Sequence, residues 1–291
     1  MIQAIFKSKM QAAAIPALLL LMLMFGCDRV PTEVEDYVAE PMLTAFLYNG
    51  EPADTVMLER VAPLYGYYDP ADHVIPGADI KIIRQNDQAE FIFTDPDSDG
   101  VYTPDGNVLV PAGGEQFSIE ARKDDEGLFL WAETMIPDTF AMAITPAPID
   151  TVDGFPILDT LTRADPNIVL NWTDPGNYAG YVLNVICEDS TFVPLDPDFS
   201  FHGDEDSSRV SFDVIMEGFN MDIIPWIHFN WAGWHRVELL AVDDGYFNYF
   251  FSVFRMMMGQ VTELEYNVQG GLGIFAGLSE RSFRVYIEPV E

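Results

Sequence analysis

The acidic run Asp95-Pro-Asp97-Ser-Asp99-Gly100, inside the stretch FTDPDSDGVYTPDG, spaces three carboxylates two residues apart and then supplies a glycine. A calcium loop begins this way, because the cation takes several oxygen ligands and the glycine permits a sharp bend among them. The same letters describe a solvated turn, since Asp side chains accept hydrogen bonds from the backbone just ahead of them. A helix-flanked calcium loop also needs a bidentate Glu at its twelfth position. That position is Gly106 here, only Asp105 stands near it, and no helical pattern flanks the run. The turn is the better reading. Asp95, Asp97 and Asp99 stay as candidate metal ligands, and calcium as the one candidate cofactor.

Other reactive residue types are sparse. There are four histidines, His73, His202, His228 and His235, with no His-Glu-x-x-His helix and no Gly-x-Ser-x-Gly elbow. His228 and His235 can meet across a hairpin, but a metal site usually needs a third ligand. With 47 acidic residues, carboxylate pairs suited to a glycosidase arise by chance, so the expected protein is not an enzyme. Gly271-Leu-Gly273 is followed by Gly277, one residue later than a dinucleotide fingerprint requires, and the sequence after it reads as turn and strand. The glycines are instead expected to give a loop unusual backbone freedom, with Leu272 and Phe275 in the core.

Aromatic chemistry is more concentrated. IPWIHFNWAGWH places Trp226, Trp231 and Trp234 within nine residues. Indole rings stack on sugars or on apolar partner surfaces, and they also fill cores. Both readings are kept: packing in a sandwich, or a partner-binding or glycan-binding surface, with Trp226 expected to be the exposed ring.

These residues need a scaffold, and the composition supplies one. The chain has 291 residues, 49% hydrophobic and 13% aromatic, enough for a large core and for two domains. Its start reads as an export signal over residues 1–26, with Lys7 and Lys9 before an apolar run from Met10 to Phe25 that is short for a membrane span. Removing that signal takes Lys7 and Lys9 from the 14 basic residues, leaving 12 against 47 acidic and a net charge of −35. Such a balance excludes a phosphate-holding patch and hence nucleic acid, and it repels anionic headgroups.

LMLMFGC, with Gly26 before Cys27, resembles the lipobox of bacterial lipoproteins. The resemblance implies a lipidated Cys27 that anchors the chain to the outer membrane without spanning it, followed by an acidic leader over residues 27–37. Cys187 is then the second of two cysteines, and its apolar surroundings in GYVLNVICED mark a buried structural thiol.

Short apolar runs bounded by Gly, Pro, Asp or Asn predict strands at Val38–Tyr48, TVMLER, Ala78–Arg84, Ala89–Thr94, Asn107–Val110, Gln116–Arg122 and Leu128–Met135. The expected class is all-β: two antiparallel β-sandwich domains, residues 38–140 and 166–291, joined by a Pro-rich linker over 141–165. FTDPDSDGVYTP resembles the Thr-Asp to Gly-x-Tyr hairpin of transthyretin-like and carboxypeptidase-regulatory sandwiches. NIVLNWTDPGNYAGYVLNVICED resembles the second and third strands of a fibronectin type III domain, WHRVELLAVDDGYFNYF its sixth, and RSFRVYIEP its last. One helix interrupts the second domain at 244–258. Asp243 or Asp244 caps it, Gly259 ends it, and Tyr246, Tyr249, Phe250, Val253, Phe254 and Met257 form its packing face.

The lipobox, YVAEPMLTAFLYNGEPADTVMLER, IPGADIKII, GVYTP, the aromatic helix and NVQGGLGIFAG together resemble a Bacteroidota lipoprotein family known as domain of unknown function four-two-four-nine. Its members are often encoded beside TonB-dependent outer-membrane receptors. That resemblance implies a binding or accessory role in an uptake system, with a TonB-dependent receptor or another envelope protein as partner. A surface glycan-binding lipoprotein and an uncharacterised hydrolase are the other two readings.

Overall fold

The protein is described by a computed structural model covering residues 39–62, 69–162, 165–190, 193–195, 210–215 and 218–289, with the backbone alone at 213, 214, 225 and 226. The export signal, Cys27, the leader and His202 lie outside the described residues. No helix among the described residues is long and apolar enough to cross a membrane.

The first half is built from β1 (Pro41–Tyr48), β2 (Val56–Arg60), β3 (Asp79–Arg84), β4 (Ala89–Thr94), β5 (Val101–Pro104), β6 (Gln116–Lys123) and β7 (Leu128–Met135). Their side-by-side order is β1-β2-β5-β4-β3-β6-β7, with antiparallel pairing throughout. Alternate residues point inward: Leu43, Ala45 and Leu47 from β1 meet Ile80 and Ile82 from β3, and Phe117, Ile119 and Ala121 from β6. Residues from both ends of the strip share one core, so the strip folds back on itself. The expected strand at Asn107–Val110 is irregular instead. Val101–Pro104 takes the ladder place beside β4, and Leu109 is buried without joining a strand.

The second half contains β8 (Met142–Thr145), β9 (Asp150–Val152), β10 (Phe155–Ile157), β11 (Ile168–Trp172), β12 (Gly180–Cys187), β13 (Val193–Pro194), β14 (Val210–Ile215), β15 (Asn220–Ile223), α1 (Pro225–His228), β16 (Trp231–Val242), α2 (Asp244–Met257) and β17 (Leu272–Ile287). A three-stranded sheet, β15-β11-β8, faces the run β14-β12-β16-β17. This three-on-four partition and strand order are those of a fibronectin type III sandwich. Between the sheets lie Leu170, Trp172, Tyr181, Leu183, Val237, Leu239 and Phe283. Trp172 meets Tyr181 edge-on at 5.2 Å, as an indole packed between two sheets should.

The helix occupies the other side of the same strands. Val182 from β12, Leu240 and Val242 from β16, and Leu278 from β17 form a patch that Phe46, Tyr48, Tyr246, Phe247 and Phe250 cover. Strands covered on both faces need no polar alternation, which is why Tyr181 to Leu183 of β12 and Leu239 to Val242 of β16, where the patch lies, are unbroken apolar runs. α2 ends within one residue of its expected limits, capped by Asp243, whose side chain accepts from the Tyr246 N–H at 2.9 Å. Its contact face differs from the expected one: Phe247 joins Tyr246 and Phe250, while Met257 is exposed.

Two sequence expectations about organisation need correction. Residues 141–165 are not a plain linker, since they hold β8, β9 and β10, and β8 is a full member of the smaller sheet. The glycine-rich segment is not a loop either: β17 begins at Leu272 and runs unbroken to Ile287. Its first part pairs in parallel with β1, from Met42 opposite Leu272 to Tyr48 opposite Leu278. Its later part pairs antiparallel with β16, from Val242 opposite Leu278 to Gly233 opposite Ile287. Phe275 is buried as expected, whereas Leu272 is only half-buried. One strand therefore belongs to both sandwiches, and residues 40–291 form one compact unit.

Candidate functional site

The acidic loop makes the turn between β4 and β5. Asp95 accepts from the backbone N–H groups of Asp99 and Gly100, both at 3.1 Å, and Asp99 accepts from Val101 at 3.0 Å. Tyr102 then fixes the following strand: its buried hydroxyl donates to the Ile75 carbonyl at 2.6 Å and accepts from Ala78 N–H at 2.9 Å. Asp97 is exposed. Among the described residues no group of three or more His, Cys, Asp or Glu is placed to share a metal ion.

The tryptophan cluster is divided by strand geometry. Trp231 and Trp234 stand three residues apart on β16, so their side chains leave opposite faces of the sheet. Trp231 is buried, which removes it from the expected partner-binding surface. Trp234 is 40% exposed and meets Tyr286 edge-on at 5.5 Å. The Trp226 side chain lies outside the described residues. Even spacing would have put two of these rings on one face; this odd spacing was readable in the sequence.

The histidines serve their own neighbourhoods. Nδ1 of His228 contacts the Ile224 backbone, and Nδ1 of His235 lies 3.0 Å from the Gly233 carbonyl. His235 is buried, and desolvation pushes its pKa down to about 4. It stands opposite Cys187 in the β12–β16 ladder, where the thiol is buried.

Polar side chains from several elements also converge at one place. A cleft of about 560 Å³ opens where β6, β7, the β11–β12 turn and the start of α2 converge. Its floor is Asp243, 6% exposed, whose two carboxylate oxygens accept from Thr134 Oγ1 and from Tyr246 N–H. Burial raises this carboxyl to about 6 against the hydrogen bonds that favour its charged form. Three of the five carboxamides around the cleft are engaged in the fold. Asn267 clasps the Phe275 backbone from both ends, accepting from its N–H at 3.0 Å and donating to its carbonyl at 2.7 Å. Gln85 donates to Ser118 at 2.6 Å, and Asn177 donates to Asp138 at 3.1 Å.

The other two are differently placed. Gln116 is exposed, and its amide nitrogen reaches only the Met135 sulfur at 3.9 Å. Asn248, exposed on the second turn of α2, has no side-chain hydrogen bond among the described residues. The exposed parts of Tyr178 and Met135 supply apolar surface, and Glu133 and Asp244 supply exposed carboxylates. In sequence these lining residues are scattered from Gln85 to Asn267, and only Asp243 and Asp244 are singled out there, as alternative helix caps.

The family described as Domain of unknown function (DUF4249) matches residues 28–284. The chain belongs to that family. No curated protein matches the chain. Among solved structures it is similar to the crystal structure of chicken CNTN1 FN1-FN3 domains, at 10% identity over 84% of this chain and 68% of that chain. The TM-score is 0.19, too low to bear on the fold. The sandwich assignment rests on the strand order and cores of this DUF4249 chain itself.

Proposed function

We propose that this DUF4249 protein is a lipid-anchored, non-catalytic binding component of a TonB-dependent uptake system at the outer membrane. One observation carries the binding part of this reading: the cleft beside Asp243 is concave, of small-molecule size, and bordered by polar groups that the fold does not use. Its buried acid spends both oxygens on holding β7 and α2, so it acts as a support rather than a poised proton donor. The Gly26-Cys27 junction after an apolar run supports the anchor, and a single acyl-modified terminus suits a protein that stays beside a membrane partner.

The test is made in native membranes. Cys27→Ser should move the protein from the membrane to the soluble fraction and remove the acyl mass from its terminus. Crosslinking of the unaltered lipoprotein should recover a TonB-dependent receptor. An unlipidated native protein would remove the anchor, and recovery of no outer-membrane receptor would remove the uptake role.

A further inference from the structure

We infer that the cleft beside Asp243 takes a neutral polyhydroxylated ligand, a short saccharide; this rests on the binding reading above and gives its ligand a chemical class. The inference begins with charge. Glu133 and Asp244 stand at the opening, Asp243 forms the floor, and no Lys, Arg or His lines the cleft. On a chain of net charge −33, such a lining disfavours phosphates, sulfates and carboxylates.

Hydrogen-bonding capacity narrows the class further. A carboxamide offers a donor and an acceptor side by side, which suits neighbouring hydroxyls that each donate and accept. Gln116 and Asn248 are the two carboxamides that the fold leaves available, one on β6 and one on α2. Glu133 and Asp244 are acceptors only, and hydroxyl hydrogens can meet them without introducing charge. The exposed part of Tyr178 and the Met135 thioether give the carbon-bearing face of a sugar ring an apolar surface.

Preorganisation separates this cleft from an incidental groove. Asn267 binds both polar groups of Phe275, Asp243 links β7 to the first turn of α2, and Asn177 is tied to Asp138. The supporting amides are thus fixed by the fold, and the ligand-facing pair is carried on rigid elements. Binding then requires little ordering of the protein.

The test uses the full lipidated chain in lauryldimethylamine oxide, a detergent without a sugar headgroup. Calorimetric titration compares neutral trisaccharides of glucose, xylose and mannose with trigalacturonate and with spermidine, each at low and high salt. The expected result is saturable binding of a neutral trisaccharide, unchanged by salt. Gln116→Ala and Asn248→Ala should each weaken it about three- to tenfold, as loss of a neutral hydrogen bond does. Both positions are exposed, and matched melting temperatures verify that these variants fold. Asn107→Ala, in the loop after β5, should leave affinity unchanged.

Silence from every neutral sugar overturns the inference, as does binding that neither variant weakens. Binding of spermidine alone, lost at high salt, replaces the saccharide with an organic cation. Failure here with a receptor still recovered by crosslinking rejects the ligand class but retains the uptake role. Sugar binding without a receptor does the reverse.

Discussion

Two buried groups titrate in opposite senses across the same pH range. Asp243 in the folded chain has its carboxyl raised by burial from 3.8 to about 6, so the folded state holds a proton that the unfolded chain has released. Its contribution to stability is present below about pH 4, falls as pH rises, and is lost above about 6. His235 has its imidazole lowered by burial from 6.5 to about 4, so between those values the unfolded chain binds the proton instead. Its contribution therefore rises with pH over that window and is complete above about 6.5. Each shift corresponds to about 3 kcal/mol, and the two slopes nearly cancel. Asp243→Asn keeps a helix-capping side chain and should unmask the histidine: relative to native, its stability should gain steadily between about pH 4 and 6. His235→Asn, which can retain a donor toward the Gly233 carbonyl, should show the reverse difference over about pH 4 to 6.5. Urea midpoints measured at several pH values for all three chains test this, and parallel curves would contradict both assignments.

At the scale of the element, β17 explains why the glycine-rich segment was misread. Apolar runs ending in Gly, Pro, Asp or Asn marked most strands of the first half, Asn107–Val110 excepted, and the sequence also marked α2 because Asp243 precedes an aromatic stripe of helical period. It recovered β11, β12, β16 and the end of β17 because Trp172 and the alternating runs follow a sandwich pattern. Glycines normally signal loops, yet here they admit neighbouring backbones. At Gly271 an added Cβ would come within 2.5 Å of the Pro41 carbonyl oxygen, and at Gly277 within 2.5 Å of that of Met135. Gly273 is the extreme case, with φ +113° and the Leu43 carbonyl oxygen 1.9 Å from such an atom. That packing depends on partners 142 to 230 residues away, so local pattern could not reveal it. The cleft was hidden for the same reason, being assembled from six separated segments. Gly273→Ala should cost at least about 3 kcal/mol, through positive-φ strain together with backbone overlap. Gly106→Ala is the comparison: its φ is also positive at +91°, but nothing lies within 4 Å, so about 1 kcal/mol is expected. Chemical denaturation of the two variants checks the ordering, and equal losses would show that β17 does not meet β1 as closely as described.

For the whole molecule, the shared strand makes the two sandwiches interdependent. Phe275 of β17 and Val268 just before it lie in the first core, while Phe283, Val285 and Ile287 of β17 lie in the second. The side chain of Arg281 on this strand donates to the Phe140 carbonyl at 2.8 Å and also to Thr139, tying the start of the second half to its end. Asn49 in turn donates to the Pro137 carbonyl at 2.9 Å, from the turn after β1. Unfolding either sandwich would expose apolar residues of β17 and break its ladder with the other, a loss comparable with the 5–15 kcal/mol by which domains are usually stable. Residues 40–291 should therefore melt as one cooperative unit, with the calorimetric enthalpy matching the van't Hoff enthalpy. A chain ending after Tyr266 removes β17 and leaves β1 to β7 in place, yet it should fail to fold that half, because Val268, Phe275 and the parallel partner of β1 are gone. Two resolved transitions in the intact chain, or a first half that remains folded and resists protease in the truncated one, would show that β17 joins two independent domains.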